Sequence, residues 1–158
     1  MESTLRLQPL RDDEYDGWYN YVRDEFAKSL IELADTPVDA ARARAEQVMA
    51  DVLPEGLATP GHSVSVVERD GERIGMLWLA EREMDGRQVL YIYDVEIEET
   101  YRGQGLGRAA MLLAEDEARS RGLSRIELNV FGGNAVARKL YLSLGYVERA
   151  ISMGKDLG

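Results

Sequence analysis

Apolar residues recur along this chain at every second position, at steps of three and four, or in short unbroken runs, and each spacing predicts an element. Leu5 and Leu7 alternate with polar neighbours over 4–8, which predicts a short first strand ended by Pro9. From Asp13 the residues Tyr15, Trp18, Tyr19, Val22, Phe26, Leu30 and Leu33 step by three and four. That is the stripe of an amphipathic helix, with Asp12 or Asp13 as its N-cap. Thr36-Pro37 then predicts an N-cap followed by proline at the first helical position, with Asp39 in the capping-box place. Ala41, Ala45, Val48, Met49 and Val52 form the inward stripe of this second helix, which stops near Pro54, and 55–61 reads as a loop.

Three strands follow, joined by two tight turns. The residues 63–68 alternate around Val64 and Val66, 74–80 are apolar almost throughout, and 89–97 complete an antiparallel meander. Asp70-Gly71 and Asp85-Gly86 supply the hairpin turns, because both central residues tolerate positive φ. A helix over about 105–121 carries Leu106, Ala110, Leu113, Ala114 and Ala118 inward, with Gly122 as its C-cap. Arg125 to Phe131 predicts a further strand. Asn134 then caps a last helix with Val136, Leu140, Tyr141 and Leu144 inward, ended by Gly145. The residues 146–156 read as a final strand, interrupted near Ala150. The order is β-α-α-β-β-β-α-β-α-β, a mixed α/β (α+β) sheet protein, with one β-α-β crossover joining the fourth and fifth strands. No repeat, low-complexity tract or linker interrupts it, so one domain over 1–158 is expected.

Charge and composition narrow the partners. The 158 residues carry a formal net charge of −10, which argues against nucleic acid and permits a cationic substrate. With no cysteine, disulfides, thiolate nucleophiles and cysteine-based zinc sites are excluded, and no metal site is expected. No apolar run reaches membrane-spanning length and 1–10 lack a signal-peptide pattern, so a cytosolic protein is expected.

The chemistry concentrates in 91–108, YIYDVEIEETYRGQGLGR. An apolar strand runs into alternating glycines and then directly into a helix. Such a turn leaves backbone N–H groups unobstructed at the positive end of a helix dipole, which makes a candidate phosphate cradle. A P-loop requires Gly-Lys-Ser/Thr, and Gly107 is followed by Arg108-Ala109. The run 105–110 satisfies the dinucleotide pattern G-x-G-x-x-A, with Glu127 near the place of the ribose-binding acid. Against a dinucleotide-binding oxidoreductase stand the position of Glu127 inside its strand, the single β-α-β unit, and the hairpins before the motif.

The same residues carry a family resemblance. Arg102-Gly103-Gln104-Gly105-Leu106-Gly107 resembles the R/Q-x-x-G-x-G/A pyrophosphate motif of the GNAT superfamily of acetyl-CoA-dependent N-acetyltransferases. Val95-Glu96-Ile97 resembles the strand before it, the residues 134–141 resemble the N-x-x-A-x-x-L-Y helix, and Leu144-Gly145-Tyr146 resembles the closing L-G-F/Y.

The resemblance implies a GNAT fold in which strands four and five are parallel and splayed, often with a bulge in the fourth, with the pantetheine arm of acetyl-CoA between them. It implies that main-chain groups of Val95 and Ile97 bond the pantetheine and that N–H groups from Gln104 to Arg108, with Gly105, Leu106 and Gly107 between them, take the pyrophosphate. Arg102 and Arg108 would position this loop or counter cofactor charge, and Gly103 belongs to the same turn. Asn134 would bond the pantetheine portion, and Tyr141 would protonate the leaving thiolate. The acceptor would be a small-molecule or peptide amine, and the protein a monomer or homodimer. For the general base, some relatives place a carboxylate where this chain has Asn129 and others where it has Tyr91, and neither is acidic here. Glu96 is the candidate, with Asp94 beside it on the same strand face. By residue type alone Asn134 is equally an N-cap, Tyr141 a core aromatic, and Asp94 with Glu96 a solvated pair. His62 is assigned no chemistry. A GNAT-like module that binds acyl-CoA without catalysis is the alternative from another class.

Overall fold

Asp70-Gly71 and Asp85-Gly86 both take the left-handed conformation that a two-residue hairpin demands, with φ of 52° and 81° in the first and 51° and 76° in the second. They hold β2 (His62–Arg69), β3 (Glu72–Met84) and β4 (Arg87–Ile97) as an antiparallel meander. The computed structural model describes residues 4–158. β1 (Leu5–Pro9) pairs antiparallel with β2, and β5 (Ile126–Leu128) pairs parallel with β4, so the sheet order is β1-β2-β3-β4-β5.

Helices cover both faces of this sheet. α1 (Tyr15–Ala34) and α2 (Val38–Val52) lie over one, where Trp18, Val22 and Met49 pack on Val64, Val66, Met76 and Trp78. α3 (Leu106–Ser120) and α4 (Ala135–Ser143) lie over the other, where Met111 and Ala114 are buried with Ile74, Leu77, Leu79, Leu90 and Ile92. Double coverage explains why 74–80 is buried without interruption, since alternate side chains both find a dry partner. Met111, absent from the expected stripe of α3, is fully buried because the apolar face is wider than one i, i+4 row.

Several expected features differ. No side chain caps α1: a 3-10 turn over Asp12–Glu14 leads into it instead, and Arg73 reaches Glu14 from β3 at 3.0 Å. α2 begins at Val38 with Pro37 as its N-cap, so Thr36 does not cap it. Proline already presets the extended approach to the helix, and its carbonyl accepts from the N–H of Ala41 at 2.8 Å. β1 does end at Pro9, with the proline as its last residue, which an edge strand permits. Val136 is 84% exposed although its spacing placed it inward, while Leu140, Tyr141 and Leu144 do pack on the core.

The largest difference is at the C-terminal end, where 147–158 form neither helix nor strand, so the sheet has five strands and not six. Alternation there is real, but a strand needs a neighbour. β5 is only three residues long and offers almost no outer edge. Arg149 instead ties the segment by its charge to Glu127 and Asp85.

Candidate active site

The site is made by a fault in the strand pairing. Trp78 on β3 lies opposite Asp94, but its neighbour Leu79 lies opposite Ile92, so Tyr93 is an extra residue without a partner. This bulge puts two consecutive side chains on one face: Tyr93 stacks on Trp78 at 4.6 Å, and Asp94 opens into a cavity beside Trp18. β5 pairs with β4 only over Leu90–Ile92. From the bulge onward β4 runs to Ile97 with no pairing to β5, so the two parallel strands splay where the strand changes direction. Val95 and Ile97 keep their side chains in the α3 and α4 core, and the carbonyl of Ile97 accepts from Nε of Arg102 at 2.9 Å.

The glycine turn follows at once. Gly103 and Gly105 adopt φ of 78° and 75°, and a Cβ on either would meet no protein atom within 4 Å. Conformation, not crowding, therefore requires glycine at both. Gly105 is the N-cap of α3 and has no side chain to bond the first turn. The amide N–H groups of Leu106, Gly107 and Arg108 consequently have no capping side chain and point out at the positive end of the helix dipole. Leu106 is buried and anchors this end to the core. At Gly107 a Cβ would lie 3.6 Å from Leu140 Cδ2, an ordinary contact, so the protein's own packing does not require glycine there. Arg108 bonds Ser143 Oγ on α4 at 3.0 Å, and Arg69 reaches Gln104 Oε1 at 3.5 Å.

α4 delivers two further residues. Asn134 Oδ1 accepts from the N–H of Ala137 at 3.2 Å, which makes it an N-cap as its type predicts. Tyr141 packs on the core, with its ring 6.0 Å from that of Tyr146. Burial, and secondarily the charge of Asp94, raise its phenol above the ordinary value of 10.0. It thus holds its proton at neutral pH, and it lies close enough to Asp94 for that charge to be felt.

On the α1 side the splay opens into a cavity of about 380 Å³ bounded by Gly17, Trp18, Tyr21, Met76, Asp94 and Glu96, with Arg73, Glu98, Glu99 and Arg102 at its margin. Gly75 forms part of its floor, and a Cβ there would fall 2.1 Å from the carbonyl oxygen of Glu96. Asp94 is half-buried in the cavity wall, and burial, then the charges of Glu96 and Glu25, push its carboxyl from 3.8 up to about 7. Glu96 is differently placed. Its Oε1 accepts from the Tyr21 hydroxyl of α1, and Arg102 lies 3.8 Å from the same oxygen. A larger groove of about 640 Å³ between α1 and α2 is lined by three cations (Arg23, Lys28, Arg42) and three carboxylates (Asp24, Glu32, Glu46). Its charges balance, and it lies away from the splay.

Sequence reasoning brought together the glycine turn, Asn134, Tyr141, Glu96 and Asp94. Trp18, placed on the inward stripe of α1, is a core residue that also lines the cavity, and Tyr21 is the cavity partner that sequence reasoning did not foresee. Tyr21 belongs to no apolar stripe, so a polar residue offset from a helical stripe was the one available signal. Glu127 is engaged by Arg125 at 3.0 Å and by Arg149. Burial would raise its carboxyl, but the bond from Arg125 and the charges of Arg149 and Arg125 outweigh that and lower it. His62 accepts from the indole Nε1 of Trp78 at 3.0 Å and stacks on Tyr93 at 5.4 Å; burial, then Arg82, lower its pKa. Among the described residues no helix is long and apolar enough to cross a membrane, and no metal-binding cluster occurs.

Known proteins share this fold. The chain is 32% identical over 155 residues to the uncharacterized N-acetyltransferase YycN of Bacillus subtilis (strain 168), covering 98% of this chain and 99% of that one. It is 30% identical over 152 residues to YdgE of the same organism, covering 96% and 97%. The crystal structure of YycN superposes with a TM-score of 0.91 at 31% identity, covering 98% of this chain and 99% of that one. An aminoglycoside N-acetyltransferase, AAC(6')-Iy, crystallised in complex with CoA, shares the fold at a TM-score of 0.59 and 15% identity, with coverage of 98% and 97%. The model of the acetyltransferase (GNAT) family matches residues 11–146. That span takes in both α1, which walls the cavity, and the whole of α4, and it makes the chain a member of the GNAT acetyltransferase family.

Proposed function

We propose that this protein transfers the acetyl group of acetyl-CoA to a primary amine held in the cavity beside Asp94. The observation that carries the reading is the uncapped, glycine-lined N-terminus of α3, set where β4 and β5 part. It fits a pyrophosphate, because three unbonded N–H groups and a helix dipole converge where no protein atom intrudes. CoA in the structurally similar AAC(6')-Iy supports the same ligand here. On this reading Gln104 to Arg108 hold the pyrophosphate, Val95 and Ile97 the pantetheine along the unpaired side of β4, and Asn134 its far end. Bound acetyl-CoA supplies an acetyl thioester.

The chain's own residues do the proton work. Asp94 is better placed as the base than Glu96, whose Oε1 is engaged by Tyr21 and approached by Arg102. With a pKa raised to about 7, Asp94 can accept a proton from an ammonium or from the attacking nitrogen near neutral pH. Glu96 acts on it by charge. Tyr141, kept protonated by burial and by Asp94, donates to the departing sulfur. Base and acid thus lie on opposite walls of one splay.

The reading is tested by offering the purified protein acetyl-CoA with a broad panel of amines and peptides and measuring CoA release. Turnover with at least one amine is expected; tight CoA binding with no release from any of them would leave a binding module only. The cradle has its own test. Gly105→Val forces a β-branched residue into positive φ, a strain of roughly 1–2 kcal/mol, in the segment whose N–H groups hold the ligand. CoA affinity by calorimetry is expected to fall about tenfold or more, and unchanged affinity would remove 104–108 from the pyrophosphate site.

A further inference from the structure

Three rings hold the bulge that delivers Asp94. Trp78 on β3, Tyr93 on β4 and His62 at the start of β2 close a triangle. Tyr93 stacks on Trp78 with centroids 4.6 Å apart and on His62 at 5.4 Å, and His62 lies 6.1 Å from Trp78. Tyr93 is the residue without a cross-strand partner, so no ladder pairing fixes the face it takes. Its ring contacts do that instead. Asp94 is the next residue, and the same backbone bend sets its direction.

One side of the triangle is a hydrogen bond. Trp78 is 3% exposed, and its indole Nε1 donates to Nδ1 of His62 at 3.0 Å. An indole N–H can only donate, so Nδ1 carries no proton and Nε2 does. An apolar residue at 62 would leave that indole N–H buried and unbonded, which is costly. An asparagine would accept from it but present no ring to Tyr93. Neutral histidine does both, and protonated histidine loses the bond, because a second N–H would then face the indole. Arg82 on β3 lies over Tyr91 at 4.7 Å and Tyr93 at 5.7 Å, so these two phenols and one guanidinium are the titratable groups on this face. Burial, then the charge of Arg82, oppose protonation of His62, and no carboxylate charge favours it.

We propose that His62 is a positioning residue for the reaction: as the neutral Nε2–H tautomer it pins Trp78 against Tyr93 and so holds Asp94 at the cavity, and its protonation releases that hold. This rests on the acetyl-transfer reading, in which Asp94 is the base. His62 itself does not line the cavity, so it acts through the two rings and the bulge.

The chain has a single histidine, so nitrogen-15 NMR of the labelled protein reads it directly. The expected result is an Nε2–H tautomer titrating below the ordinary 6.5, with the Trp78 indole N–H signal moving at the same midpoint. An Nδ1–H tautomer, or an indole signal that ignores the titration, overturns the proposal without any variant. Positioning is then read at Asp94. In His62→Leu its carboxyl, followed by carbon-13 NMR, should titrate at least about one pH unit lower than in the original protein, because a carboxylate freed from the bulge regains water. In the same variant kcat for an accepted amine should fall about tenfold or more, with CoA affinity by calorimetry within about twofold. His62→Asn gives Trp78 an acceptor again, and its kcat should exceed that of His62→Leu about fivefold or more. The acid side of the kcat/KM profile should steepen beyond the limb of Asp94, and His62→Asn should lose that extra slope. An Asp94 titration unmoved in His62→Leu, or an unmoved kcat, overturns the positioning role while leaving acetyl transfer standing. A moved Asp94 titration in a protein that releases no CoA with any amine upholds the positioning role and sinks the transfer reading.

Discussion

Asp94→Asn is expected to lower kcat/KM for an accepted amine by about a hundredfold or more at pH 8, the range of a lost general base. The replacement keeps size and hydrogen-bonding reach but cannot take a proton. In the unaltered protein kcat/KM should fall about tenfold per unit as pH drops below about 7, because Asp94 becomes protonated there. That limb should be absent from the residual activity of the variant. The same substitution should stabilise the fold, and the sign follows from linkage. Asp94 titrates at about 7 in the folded chain against an ordinary 3.8, so between these values the native state holds a proton that the unfolded chain has released. Stability therefore falls as pH rises through this window, and above it the ionised, buried carboxylate remains a cost. A neutral amide in place of the acid removes that cost, so Tm should rise by about 2 °C or more at pH 8 and be unchanged at pH 3. Activity retained within about threefold, with the acidic limb intact, would move the base to Glu96.

This pairing of lost activity with gained stability arises from the β4 bulge, which the family resemblance implies but which no residue pattern at 93–94 marks. Tyr93 and Asp94 are ordinary strand residues by pattern, and strict alternation would send one of them to each face. What decides otherwise is the length of the pairing on either side: β3 accompanies β4 throughout, while β5 leaves it at Ile92. That is a property of two other strands and is not encoded at 93–94. The Tyr21–Glu96 contact joins residues 75 apart and was equally hidden. The hairpin turns, the positive-φ glycines and the Asn134 cap were legible because each is a local demand that few residue types can meet. The absent sixth strand shows the converse. Val147, Ile151 and Met153 carry a strand's alternation, yet they stay exposed because a pattern cannot supply the edge on which a strand depends.

Tyr141→Phe tests the opposite wall of the splay, and there the structure gives the substitution unusual clarity. The phenol ring packs on the α3 and α4 core, and among the described residues its hydroxyl makes no side-chain hydrogen bond, so phenylalanine leaves the packing intact. Tm should therefore change little, and CoA affinity should be within about twofold of the original, as for a conservative core replacement. Turnover should nevertheless fall by about a hundredfold if the hydroxyl protonates the leaving sulfur. Because burial and Asp94 both raise its pKa, ionisation of Tyr141 should set the alkaline limb of the kcat profile above the ordinary tyrosine value of 10.0. The two walls are coupled: Asp94→Asn removes the charge that helps to hold the Tyr141 proton, so in that variant the alkaline limb should move to lower pH. An alkaline limb that stays in place in Asp94→Asn, or a Tyr141→Phe enzyme with full turnover, would separate Tyr141 from proton donation and leave it as a core aromatic beside the cofactor slot.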